Sequence, residues 1–172
     1  MDTIYIGIDP GQRGAIAVRD VMGGVYVDKM PATPTDRFDY LREIAETARM
    51  EDVAVVAAIE RVGHFFPVGP KCPVCGKQKG GGSPASMVSL GINYGELRGF
   101  LIAKGISVEG VMPNPWMDVV VPGRPKGKKS TTPRKNYIKG IMQELYPRVK
   151  VIQQTADALG ILTWLLRQRG VC

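Results

Sequence analysis

The sequence predicts an α/β fold, a mixed sheet with helices on its faces, and three observations carry that reading. Residues 4–27 alternate apolar and polar positions through glycine-bearing turns, as an antiparallel meander does. Residues 53–59 (VAVVAAI) are apolar without a break, which suits a strand covered on both faces and paired in parallel. Stretches with helical spacing separate this strand from its neighbours, so helices cover the sheet.

The elements follow in order. Ile4, Ile6 and Ile8 alternate with Tyr5, Gly7 and Asp9 before Asp9-Pro10-Gly11 breaks the run; Gly14 to Val18 and Gly24 to Val27 continue the meander. Thr35 to Met50 places Phe38, Leu41, Ile44, Ala45 and Ala48 at helical spacing, with Thr35 or Asp36 as the cap. The apolar strand then ends at Glu60. Residues 61–85, rich in Gly, Pro and Lys, read as a long loop insertion, a feature more often functional than incidental.

A helix from Pro84 to Lys104 carries two apolar stripes, one of Met87, Leu90, Tyr94, Leu97 and Leu101, the other of Val88, Ile92 and Ile102. One stripe can cover the sheet and the other a second subunit. Gly91, Gly95 and Gly99 recur on it, each costing about 1 kcal/mol against Ala, which predicts close packing of another backbone there. Ile106 to Met112 reads as a strand and Pro115 to Val121 as a short turn or helix. A basic linker over 121–132 leads to a helix begun by Thr132-Pro133 and ending near Leu145. Val149 to Ile152 reads as a short strand, and Thr155 to Gln168 as a last helix with Ala156, Leu159, Leu162, Leu165 and Leu166 buried.

Composition sets the class. With 172 residues, 44% hydrophobic and 23% charged, the chain reads as one domain, 1–172, able to hold a core without disulfide or metal staples. No apolar run reaches the ~20 residues that span a bilayer, and Met1-Asp2-Thr3 enters a strand pattern at once, so a cytoplasmic protein is expected. Three cysteines fit a reducing compartment. The net charge is +7, and residues 121–140 carry seven cations (Arg124, Lys126, Lys128, Lys129, Arg134, Lys135, Lys139) and no acid, which favours a polyanionic partner.

Three acids stand at the ends of buried elements. Taken singly, Asp9 is turn chemistry, Glu60 marks where a strand surfaces, and Asp157 favours the positive end of a helix dipole. Taken together they say more. If the first strand runs parallel beside residues 53–59, Asp9 and Glu60 emerge side by side and their repulsion demands a counterion. Oxygen ligands alone select hard cations such as Mg2+ or Mn2+, and a pair of such ions is the machinery of in-line displacement at phosphorus.

Ile6-Gly7-Ile8-Asp9-Pro10-Gly11 with Gly14-Ala15-Ile16-Ala17-Val18, then Ala58-Ile59-Glu60, then Thr155-Ala156-Asp157-Ala158-Leu159, resembles the RuvC family of Holliday junction resolvases, of the RNase H-like superfamily, from Ile4 to Leu166. The resemblance implies a five-stranded RNase H-like sheet, a homodimer, and divalent-metal-dependent cleavage of four-way or branched DNA junctions by paired nicks, with two Mg2+ or Mn2+ per active site. It assigns Asp9, Glu60 and Asp157 to catalysis and metal binding. The family usually has a further acid or histidine one helical turn before the last acid; here that position is Gln154, which can ligate but adds no charge. A junction-binding protein of the same fold with weakened catalysis is therefore the alternative. An actin-like ATPase, which shares strand-Asp-Gly openings, needs a second Asp-Gly-Thr turn and a longer chain.

For DNA contact the resemblance points to an aromatic residue shortly after Glu60, Phe65 or Phe66, stacking on opened bases, and to Lys126, Lys128, Lys129, Arg134 and Lys135 near the scissile phosphate. The other readings are packing beneath the loop and a solvated charge run. His64, the only histidine, reads as a loop residue or a proton shuttle. Cys72-Pro73-Val74-Cys75 is half of a zinc knuckle, which His64, Cys172 or a second subunit's cysteines would have to complete; otherwise it is a reduced, turn-forming loop. The CxxC insertion and compact size suggest a phage-encoded member.

Overall fold

The computed structural model describes residues 2–62, 73–74, 84–127 and 131–171. Its strands are β1 (Thr3–Asp9), β2 (Ala15–Arg19), β3 (Val25–Lys29), β4 (Ala54–Glu60) and β5 (Ser107–Val111). Its helices are α1 (Pro34–Met50), α2 (Pro84–Ala103), α3 (Pro113–Val120), α4 (Thr131–Leu145) and α5 (Ala156–Gln168). The five strands form one mixed sheet in the order β3-β2-β1-β4-β5. β1, β2 and β3 pair antiparallel, while β1 with β4 and β4 with β5 run parallel.

The alternation of each strand decides which helices it meets. Ile4, Ile6 and Ile8 of β1, Ile16 and Val18 of β2, and Ala57 and Ile59 of β4 pack on the face that includes Leu41 and Ile44 of α1 and Leu97 and Leu101 of α2. The opposite face offers small side chains, Ala15, Ala17 and Ala58, to Trp116, Met142, Leu159 and Leu162. There α5 lies directly on the sheet. A Cβ at Gly7 would stand 2.5 Å from the Ala158 carbonyl oxygen and clash with the Leu162 backbone as well, so only glycine lets helix and strand approach this far.

α1 begins one residue before the expected range. Thr33, not Thr35 or Asp36, is the cap: its hydroxyl accepts from the Asp36 amide at 3.1 Å and Asp36 returns the bond to the Thr33 amide at 3.3 Å. Arg37 is buried and ties α1 to α2, donating to Asn93 at 2.8 Å and pairing with Glu96 at 3.2 Å.

One expectation needs correction. Val149 to Ile152 is not a strand. The Val149 amide donates to Tyr146 and the Ile152 amide to the Thr155 hydroxyl, so the backbone groups are satisfied in local turns while Val151 is buried in the core. On α2, Leu97 and Leu101 cover the sheet as expected, and among the described residues nothing lies within 4 Å of a Cβ built at Gly91, Gly95 or Gly99. Val88, Ile92 and Ile102 are 61%, 54% and 58% exposed, so no backbone of the described chain covers that side. Among the described residues, no helix is long and apolar enough to cross a membrane.

Candidate active site

The parallel register of β1 and β4 pairs Ile8 with Ile59, so the next residues, Asp9 and Glu60, leave the sheet side by side at the carboxyl ends of the two central strands. Contact at Gly7 then sets the third acid: the Ala158 backbone lies on β1, which brings Asp157, in the first turn of α5, over the same end. The three acids are half-buried, and the Asp9 charge acts on both Glu60 and Asp157.

Local bonds hold two of them. Asp9 Oδ1 accepts from the Gly11 amide at 3.1 Å, folding the Asp9-Pro10-Gly11 turn around its own carboxylate. Glu60 Oε2 accepts from the Trp116 indole Nε1 at 2.7 Å. Burial raises all three acidities' thresholds. Asp9 is pushed above the usual carboxylate range by desolvation, opposed by the Gly11 amide and the Lys135 charge. Glu60 is pushed up to about 7 by burial, against the Trp116 bond, with the Asp9 and Asp157 charges adding to the rise and Arg134 opposing it. Asp157 is pushed up to about 6 by burial and by Asp9, with Lys135 and Arg134 opposing.

Desolvated, mutually repelling carboxylates are costly unless a cation or protons neutralise them. The donors are oxygen only, with no thiolate or imidazole among them, and that chemistry fits a hard divalent cation. Among the described residues, no three His, Cys, Asp or Glu side chains are already drawn close enough to encircle an ion. The acids share one end of the sheet.

Comparison with known proteins bears on this arrangement through structure alone. No family model matches the chain, and no curated protein matches it. Among solved structures, Thermus thermophilus RuvC in complex with a Holliday junction substrate superimposes with a TM-score of 0.57 at 13% identity, covering 98% of this chain and 97% of that one. A second Thermus thermophilus RuvC structure gives 0.54 at 14% identity, with the same 98% and 97% coverage. The fold is RuvC-like.

Within this RuvC-like frame, other residues singled out in the sequence fall as follows. Gln154 is half-buried in the turn that precedes α5, three positions ahead of Asp157, and Gln153 beside it is half-buried too. Arg134 and Lys135, in the first turn of α4, reach the acids electrostatically. Lys126 is exposed and lines an open polar cleft of about 320 Å³ with Asn114, Asp118, Arg124 and Arg134. Arg124, counted in the basic run, is instead buried against Asp118 at 2.7 Å. His64, Phe65, Phe66, Cys72, Cys75, Lys128, Lys129 and Cys172 lie outside the described residues.

Sequence reasoning missed Trp116. Its segment reads only as a short turn or helix, and the one available signal is chemical: a buried indole N–H requires an acceptor.

Proposed function

We propose that this chain is a divalent-metal-dependent DNA endonuclease that acts on four-way or branched junctions by paired nicks. The observation that carries the reading is the arrival of Asp9, Glu60 and Asp157 at one end of the sheet with Arg134 and Lys135 beside them. The RuvC-like fold, with one such protein held in complex with a Holliday junction substrate, supports the substrate class.

In this reading Asp9, Glu60 and Asp157 would hold the Mg2+ or Mn2+, with Gln154 as a neutral further donor; the chemistry two such ions would supply there is activation of water and stabilisation of the departing oxygen. The chain itself does the rest. Arg134, Lys135 and Lys126, with Lys128 and Lys129, grip backbone phosphates, which positions the duplex without reading its sequence. Phe65 or Phe66 stacks on bases exposed at the opened junction. The exposed Val88, Ile92 and Ile102 stripe of α2 pairs two copies, so that two sites nick opposing strands. The whole chain serves as a single nuclease domain, working in the cytoplasm.

A second reading, a junction-binding protein with weakened catalysis, is favoured by one feature, the uncharged Gln154. Nicking assays separate the two. A synthetic four-way junction and a matched duplex are incubated with the protein while Mg2+ or Mn2+ is titrated. The endonuclease nicks the junction symmetrically and spares the duplex. Junction binding in EDTA, with no cleavage in either metal, refutes the endonuclease and leaves the binding protein.

A further inference from the structure

Trp116 lies in α3, whose first turn is set by Pro113. Its ring is 1% exposed, and its Nε1–H donates to Glu60 Oε2 at 2.7 Å. That bond commits one of the two Glu60 oxygens. The six-membered part of the same ring rests on α5: a Cβ at Gly160 would meet Trp116 Cζ3 at 2.5 Å and Cη2 at 3.1 Å. Gly160 stands one helical turn beyond Asp157. A single rigid side chain thus reaches from the acid that ends β4 to the helix that carries the acid of α5.

We infer that Trp116 is a positioning residue for the acidic centre: its indole N–H fixes the Glu60 carboxylate, and its contact with Gly160 sets how far α5, and with it Asp157, stands from Glu60. The inference rests on reading these acids as cation ligands. Partners that orient a ligand from behind usually matter to metal affinity by about 10- to 100-fold. Phenylalanine at this position keeps an aromatic ring and removes the donor. Benzothienylalanine keeps the bicyclic shape and replaces only the N–H by sulfur.

The test follows Mn2+ binding through the electron paramagnetic resonance of the free ion, so its readout does not depend on cleavage. It compares the wild type, Trp116→Phe, and the full chain with benzothienylalanine in place of Trp116. Junction affinity in EDTA and the thermal midpoint are measured alongside. The expected result is Mn2+ binding weakened about tenfold or more in both variants, with junction affinity within about twofold of wild type, a pattern that general destabilisation does not produce. Wild-type Mn2+ affinity in the benzothienylalanine protein overturns the inference, and that protein decides the matter if Trp116→Phe fails to fold. A wild type that binds Mn2+ with this dependence on Trp116 and yet nicks no junction refutes the endonuclease while supporting the positioning role. A wild type that binds no Mn2+ overturns both.

Discussion

Removing the cation should make the protein's stability fall as pH rises. Glu60 titrates near 7 instead of 4.5, and Asp157 near 6 instead of 3.8, so in the metal-free fold both hold their protons at pH values where the unfolded chain has lost them. The native state binds more protons, and stability therefore decreases with pH across that window. The stabilisation is complete below the unfolded values near 4 and is gone once pH has risen through about 7. Between pH 5 and pH 8 it amounts to about 3 kcal/mol from Glu60 and about 1 kcal/mol from Asp157. The repulsion between the two is contained in the Glu60 shift alone, so the contributions add to about 4 kcal/mol for the pair, a sizeable part of a typical 5–15 kcal/mol stability.

Urea unfolding in EDTA at the two pH values measures the change, with a Glu60→Gln, Asp157→Asn double variant as the reference for every other titrating group. The wild type should lose about 4 kcal/mol more than the variant between pH 5 and pH 8. Saturating Mn2+ at pH 8 should restore about as much, since binding at a thousand times the dissociation constant contributes about 4 kcal/mol. A wild type whose pH dependence in EDTA matches that of the double variant would show that the acids are neither desolvated nor crowded, and the reasoning would fail.

Three further outcomes are expected. Asp9→Asn should lower junction nicking by more than the ~100-fold typical of losing an outer partner, while gel-shift affinity for the junction in EDTA stays as it was; nicking at the wild-type rate would remove Asp9 from the chemistry. Arg134→Ala should weaken junction binding and reduce the slope of log affinity against log salt by about 0.9, the signature of one lost phosphate contact; an unchanged slope would take Arg134 off the DNA. Gly7→Ala forces a methyl into the α5 backbone and should lower stability by at least about 3 kcal/mol, read by thermal melting; a variant as stable as wild type would mean that α5 does not press on β1.

Much of this arrangement was legible in the chain. The continuous apolar run at residues 53–59 announced a strand buried on both sides, and parallel pairing with β1 makes neighbours of Asp9 and Glu60. Gly7 was legible only as part of a motif, and the structure supplies its reason, the approach of α5. Val149 to Ile152 misled because four residues of apolar alternation do not distinguish a strand from a turn that inserts one valine into the core. The α1 start misled because Thr33, Thr35 and Asp36 are all good caps; the reciprocal spacing of Thr33 and Asp36 behind Pro34 was the deciding cue. Trp116 could not have been paired with Glu60, since the two are 56 positions apart and no periodicity links a hydrogen bond across that distance.

The most direct measurement is a crystal of the protein grown with Mn2+ and examined for anomalous scattering. The account predicts a peak bounded by carboxylate oxygens of Asp9, Glu60 and Asp157. Density for Mn2+ elsewhere, with those oxygens apart and no ion between them, would contradict it.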